Sequence, residues 1–560
     1  MHAALVALRA LPSGARHTIA RWSGRRPPSA LVALALAADG RRDSAMRALD
    51  DAARGASLRE IGRLAAAAAA LDAPQEATQL LEQLTAHDVR RSRLEALVAA
   101  RAGDLTRAEV AARAAGWRAM GLHRLLAGER RTLTRQTHPP ARAVVPSLPV
   151  HAGCILHLVT NSLPEVTAGY TVRTQGIVAA QRRAGMDAQV ATRLGFPVTA
   201  GSVGASRLVH VDGVPYHRLL PLRWLPAPSD RHMTLDIDQT AKLVERLRPA
   251  LLHAHSRHIN AQVGLALRDR FHLPVVYEVR GFLEETWHSR GHDADTDVYR
   301  LARQTETRCM EQADAVVTLA ESMKAEIVGR GIEADKVLVV PNAVGDVFLG
   351  KPVEPDPVRR RLGFGPDDVV AGLITTLNDY EGVDILLEAV GILHRQGAPV
   401  RLLVVGSGPT LGDLRVLAAN LGLNRTAVFT GRVPFSDIRR YHAAIDVFCT
   451  PRLDTPVTRL VTPLKPLEAM ASGRPVVVSD LPPLREIIDP GHTGLMAQAG
   501  DPGSLANAIA LLSDAASRRE MGRAARQWVA SHRTWAMAAC LYGDLYERLG
   551  ARVGTGHAHH

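Results

Sequence analysis

Two successive series of short apolar runs constrain this chain most. The first comprises CILHLV (154–159), AQVAT (188–192), LLHAH (251–255), PVVYEV (274–279), AVVTLA (315–320) and VLVVPN (337–342). The second comprises VVAGLI (369–374), VRLLVVG (400–406), AVFTG (427–431), VFCTP (447–451) and PVVVSD (475–480). Amphipathic helical segments separate the runs. Near-continuous apolar strands, rather than alternating ones, are expected of parallel sheets covered by helices on both faces. Two series therefore predict an α/β chain with two doubly wound domains. A stretch rich in Pro, Gly and Asp near 342–357 divides them. The predicted boundaries are 151–343 and 344–515, with closing helices over 516–550.

Residues 1–135 read differently. From residue 28 onward this region is helical only, and three segments resemble one another: LALAADGRRDSAMRAL, AAAALDAPQEATQLL and LVAARAGDLTRAEVAA. Ala45, Ala77 and Ala108 mark equivalent places, each after a short polar turn. A spacing in the low thirties is that of helix-hairpin repeats, similar to degenerate tetratricopeptide repeats. Such an array carries no evident chemistry and implies a protein partner or packing on its own enzyme. Residues 136–150, with their prolines, read as a linker.

Charge and cysteine use narrow the function classes. The 560 residues carry a formal net charge of +12. There is no Lys/Arg block with interleaved aromatics, so nucleic acid is not an expected partner. The four cysteines are far apart in sequence and form no metal or disulfide spacing, which fits a reducing cytoplasm. No run approaches the roughly 20 apolar residues of a membrane span. Arg9, Arg16, Arg21, Arg25 and Arg26 among apolar residues fit a peripheral membrane helix on the inner face of the cell membrane, but Pro12 and Gly14 interrupt it, which favours an ordinary basic terminus.

The most informative stretch is 462–488, TPLKPLEAMASGRPVVVSDLPPLREII. It reads as a helix carrying Glu468 near its start, a stop at Gly473, a buried strand, and then Arg485-Glu486-Ile-Ile. This order resembles the nucleotide-sugar-binding segment of glycosyltransferase family 4, a GT-B family with two Rossmann-like domains. The resemblance extends over residues 150–545. It implies that Glu468 holds the donor ribose, because a carboxylate accepts from two vicinal hydroxyls. It also places Gly406 and Gly408 (Gly-Ser-Gly-Pro), Thr376 and Glu486 at the donor, and Gly431-Arg432-Val433 in the unit where the base sits. Three positions depart from the family pattern: Leu460 replaces a glutamate at the donor sugar, Thr376 an arginine and Glu381 a lysine at the diphosphate. Arg452 and Lys465, flanking Glu468, are the expected replacement cations. Tyr380-Glu381-Gly382, Pro451-Arg452 and the Pro463–Glu468 segment resemble an exopolysaccharide branch of the family.

In the first doubly wound domain, Gly169, Tyr170 and Arg173 follow the first strand at a helix start and are expected to bind the acceptor. His255 ends the strand LLHAH; with Glu278 and Arg280 it is the expected catalytic group, Arg280 standing where the family often has a histidine, and a salt-bridged structural role for Glu278 is the alternative. No further ligands for a zinc site accompany His253 and His255. The resemblance implies a retaining transfer with neither metal nor cofactor, from a nucleotide-diphosphate sugar to a glycan or lipid-linked acceptor. The leaving diphosphate itself takes the acceptor proton, and the protein positions and neutralises charge. The alternative is a catalytically silent GT-B scaffold that recruits partners through its repeats.

Overall fold

The computed structural model describes residues 26–84, 91–135 and 149–552 except 203, 222 and 223, with scattered positions before residue 26. Most of the basic N-terminal segment, most of the 136–150 linker and the C-terminal histidines lie outside the described residues. Among the described residues, no helix is long and apolar enough to cross a membrane.

Among the described residues from 26 onward, the first region forms three helix hairpins and a last helix. They are α1 (Ala30–Ala38) with α2 (Arg42–Ala53), α3 (Leu58–Ala70) with α4 (Pro74–Glu82), α5 (Arg91–Ala102) with α6 (Leu105–Ala114), and α7 (Met120–Thr134). The marker residues Ala45, Ala77 and Ala108 are each wholly buried, because a methyl group there lets paired helices approach closely.

The first sheet holds β1 (His151–Val159), β2 (Asp187–Thr192), β3 (Leu208–Val211), β4 (Val214–Arg218), β5 (Pro249–His255), β6 (Val275–Glu278), β7 (Ala315–Thr318) and β8 (Val337–Val339). Their order is β3-β4-β2-β1-β5-β6-β7-β8, parallel except for the β3–β4 hairpin at one edge. The six apolar runs are β1, β2, β5, β6, β7 and β8. The hairpin was not among them, and its Asp212-Gly213 turn, both at positive φ, is the feature that folds it. The second sheet holds β9 (Val369–Ile374), β10 (Val400–Val405), β11 (Ala427–Gly431), β12 (Val447–Thr450), β13 (Val476–Ser479) and β14 (Gly494–Ala497), in the order β11-β10-β9-β12-β13-β14 and all parallel. Each sheet is buried beneath flanking helices, as continuous apolar strands require.

Helices of the sheet domains include α8 (Gly169–Arg183), α9 (Leu283–His288), α10 (Asp297–Gln312), α11 (Glu321–Gly329), α12 (Leu411–Asn420), α13 (Lys465–Ala471) and α14 (Trp535–Arg548). Helix α14 returns from the second domain to pack on α8 and the first sheet, sharing a core with Ile155 and Ile177. Gly176 makes room for it: a Cβ there would lie 2.4 Å from the Trp535 ring.

All three hairpin turns of the helical region rest on the sheet domains. In the first, the Gly40 carbonyl accepts from the Gly412 and Asp413 N–H groups at the start of α12, and Asp413 Oδ2 accepts in return from the Arg42 N–H at 2.6 Å. In the second, Asp72 Oδ2 stands 3.4 Å from His292 Nε2, which stacks on Trp287. In the third, the Gly103 carbonyl accepts from the Val298 N–H, and Asp297 accepts from the Thr106 N–H at 2.8 Å. The first contact is to the second sheet domain and the other two are to the first.

Candidate active site

A cleft of about 730 Å³ opens between the sheet domains. Gly169, Tyr170, Arg173 and Arg280 line one wall; Thr376, Gly406, Arg432, Arg452, Lys465 and Glu468 line the other. A second hollow, lined by Arg268, Asp269, His272 and Asp314, shares no residue with it.

On the second-domain wall, Pro466 in its first turn helps set α13. Glu468 is buried there. Its Oε2 accepts from Lys465 Nζ at 2.7 Å and faces His442 Nε2 at 3.2 Å, while no described group donates to Oε1. Burial alone would raise this carboxyl; Lys465 and His442 overcome it and lower its pKa. One oxygen is thus fixed and charged, and the other is free for hydroxyl donors. Gly406 and Gly408 hold the turn after β10 against β9. A Cβ would lie 1.8 Å from the Thr375 carbonyl at Gly406 and 2.2 Å from the Leu377 carbonyl at Gly408. Gly406 lines the cleft and Gly408 supports it from behind.

Arg452 does not add a free positive charge. It pairs side to side with Glu381, Nη2 donating to Oε1 at 2.9 Å and Nε to Oε2 at 3.3 Å, and Nη1 donates to the Val461 carbonyl. The expectation that it replaces the missing phosphate cation is corrected accordingly: the pair is neutral. The free cation is Arg432, which is exposed in the cleft and has no ion-pair partner among the described residues. In the sequence it stands out only as part of a Gly-Arg-Val unit. Its place just past the carboxyl end of β11, where doubly wound sheets hold ligands, was the available signal. Glu486 is also corrected. Both its oxygens accept from N–H groups of the other domain, Glu321 at 2.9 Å and Ser322 at 3.0 Å at the start of α11, and it does not line the cleft.

On the first-domain wall, α8 begins at Gly169 with its N-terminus on the cleft, where unpaired N–H groups favour anionic or hydroxyl ligands. Tyr170 is partly exposed, and its hydroxyl accepts from Asn161 Nδ2. Arg173 is corrected as an acceptor group. All five of its N–H donors are engaged: with Glu278, with Asn342 and the Pro341 carbonyl, and with the Val340 carbonyl and the Tyr542 hydroxyl.

Of the three expected catalytic residues, only Arg280 reaches the cleft. Its Nε donates to Glu278 Oε1 at 2.6 Å, Nη1 to the Tyr170 carbonyl and Thr174 Oγ1, and Nη2 to His255 Nδ1. Among the described residues, one Nη2 N–H remains without a partner. Glu278 and His255 are buried behind it and touch no cleft space. Burial would raise the Glu278 carboxyl, but Arg280 and Arg173 hold it well below the usual carboxylate range.

His157, His253 and His255 bring three ring nitrogens within 4.8 Å of one another. Their hydrogen bonds already engage most of these nitrogens, and two guanidiniums stand against one carboxylate here. A dication would add to an existing excess of positive charge, so these residues fit a metal poorly. A second trio, His151, Cys154 and Asp187, depends on a thiol that burial pushes up to about 12.

Residues 168–343 match the glycosyl transferase 4-like domain and residues 368–514 match glycosyl transferases group 1, together more than half of the chain. The chain is a two-domain glycosyltransferase. Among curated relatives, it is 27% identical over 327 residues to D-inositol 3-phosphate glycosyltransferase of Corynebacterium glutamicum (strain R), covering 56% of this glycosyltransferase and 76% of the relative. It is 29% identical over 255 residues to GDP-mannose-dependent alpha-(1-6)-phosphatidylinositol monomannoside mannosyltransferase of Mycolicibacterium smegmatis, covering 44% and 65%. Among solved structures, sucrose-phosphate synthase from Thermosynechococcus elongatus superposes with a TM-score of 0.58 at 22% identity, over 71% of this glycosyltransferase and 99% of that chain. Anabaena Alr3699/HepE in complex with UDP-glucose gives 0.55 at 18%, over 71% and 100%. These structural likenesses establish the GT-B fold.

Proposed function

We propose that this glycosyltransferase moves a sugar from a nucleotide-diphosphate donor, seated on the second domain, to a glycan or lipid-linked acceptor held over the start of α8. The observation that carries this is Glu468, whose fixed Oε2 and free Oε1 suit a ribose diol. Lys465 and Arg432 stand on the same wall for the diphosphate, and Arg280 faces them. The relatives' names support an acceptor carrying a polyol phosphate or a lipid.

Retention of configuration has its own support. Among the described residues, the carboxylates lining the cleft are Glu165, Glu381 and Glu468, and each is tied to a cation: Arg218, Arg452 and Lys465 respectively. None is placed as a free general base, which leaves the departing diphosphate oxygen to take the acceptor proton on the same face of the sugar. No step calls for a metal or cofactor. The three hairpins of residues 30–114 act as a tetratricopeptide-like array that recruits a protein partner near the cytoplasmic membrane face, in cell-surface or exopolysaccharide synthesis.

The test is a screen of UDP-, GDP-, ADP- and TDP-sugars for released nucleoside diphosphate, with Glu468→Gln alongside. Release by the parent chain with one donor and a loss of about 100-fold in the variant is the expected result. The second reading, a silent scaffold, draws on the neutral Glu381–Arg452 pair at the expected phosphate position. It prevails if the parent neither binds nor turns over any donor.

A further inference from the structure

Behind Arg280 the buried side chains form a loop of hydrogen bonds whose direction is fixed. An arginine has no acceptor, so Arg280 Nη2 must donate to His255 Nδ1, at 2.5 Å. A neutral His255 then carries its proton on Nε2 and donates to His157 Nδ1 at 2.7 Å. His157 in turn carries its proton on Nε2 and donates to Gln181 Oε1 at 2.8 Å. Gln181 Nε2 donates to the Tyr546 hydroxyl at 3.0 Å, and that hydroxyl donates to His253 Nδ1 at 2.7 Å. His253 is left with its proton on Nε2, which stands 3.3 Å from Glu278 Oε2, off the line of a good hydrogen bond. Charge attraction completes the loop there, because Glu278 Oε1 accepts from Arg280 Nε.

Each member is at most 2% exposed apart from Arg280 at 7%. Burial lowers all three imidazoles, His157 and His255 well below their ordinary value, so the neutral state that the loop needs is the stable one. A proton added to any of them would put a third positive charge beside the two guanidiniums and one carboxylate of a dry interior.

We propose that Tyr546, on α14, is a positioning residue for Arg280, acting through Gln181 and the three histidines. The loop fixes the guanidinium plane so that its one unpartnered N–H is presented to the cleft. This rests on the reading of the cleft as the donor site. Tyr546 touches no cleft space itself.

Long-range proton–nitrogen spectra of the histidine-labelled full chain, assigned with His157→Gln, His253→Gln and His255→Gln, read the tautomers directly. All three histidines are expected neutral with the proton on Nε2 at pH 7; an Nδ1 proton or a charge on any of them overturns the loop. The paired measurement is nucleoside diphosphate affinity of Tyr546→Phe against Leu545→Ala, a buried neighbour on the same helix outside the loop. Tyr546→Phe is expected to bind about tenfold more weakly while Leu545→Ala binds as the parent does. Equal weakening in both overturns the positioning role, because loss of packing would then explain it. A parent chain that binds no nucleoside diphosphate overturns the donor-site reading, and the tautomers still decide the loop.

Discussion

Glu381 and Arg452 lie side to side, two N–H groups against two carboxylate oxygens at 2.9 and 3.3 Å. The acidic residue stands where a lysine was expected, and the arginine, 71 positions later, cancels its charge. Glu381→Gln therefore liberates a cation beside the cleft. Calorimetric titration is expected to show nucleoside diphosphate binding several-fold tighter, with a stability loss of about 1–3 kcal/mol from the weakened buried pair. Weaker binding in this variant would mean that the intact pair is itself a contact for the donor.

Among the described residues, Arg432 is the cation left unpaired in the cleft. Arg432→Ala is expected to weaken nucleoside diphosphate binding about tenfold and to flatten its dependence on salt, since an exposed charge acts through a screened field. Unchanged affinity and salt slope would remove Arg432 from the donor site.

Asp413 joins the helical region to the second domain by capping the N–H groups of Arg42 and, more weakly, Asp43. Asp413→Ala is expected to cost about 1 kcal/mol of local stability. Hydrogen exchange should speed up over 30–53 and stay unchanged over 515–532. Equal acceleration in both segments would show that the first hairpin does not open as a local unit.

The buried histidines make stability depend on pH. His157, His253, His255 and His442 have lowered pKa values in the folded chain, and burial is the largest cause of each. The unfolded chain takes up protons at these sites below about 6.5 and the folded chain does not, so stability falls as pH drops through that value. Asp236 and Glu284, which burial raises to about 6 and about 7, bind protons in the folded state over the same range and offset part of the loss. The histidines outnumber them. The melting temperature is expected to fall from pH 7 to pH 5.5, and a rise over that interval would contradict the neutral assignment.

Both sheets were legible because a strand buried on two faces has to be apolar throughout, and eleven of the fourteen strands announce themselves that way. The other three, β3 (LVHV), β4 (VPYHR) and β14 (GLMA), are short and broken by His, Pro or Gly, so they lack the continuous apolar run that marks the rest. Glu468 and Gly406 were legible because each is fixed by local chain geometry, a short helix and a turn with no space for a Cβ. Arg173, Arg452 and Glu486 were misread because residue type gives the charge of a side chain but not its partner. Those partners lie 105, 71 and 165 positions away.

Helix α14 has a consequence for synthesis. The strands of the first sheet are all made before residue 340, yet Glu278 Oε2 and His253 Nδ1 receive their donors from Tyr542 and Tyr546, which come 264 and 293 residues later. At about 5–20 residues per second, the nascent first domain waits on the order of tens of seconds for them. Until then its charge cluster and the apolar surface around Ile155 and Ile177 lack their cover. Chain order and folding order therefore differ here: the first sheet domain is completed by α14, a helix made only after the whole of the second sheet.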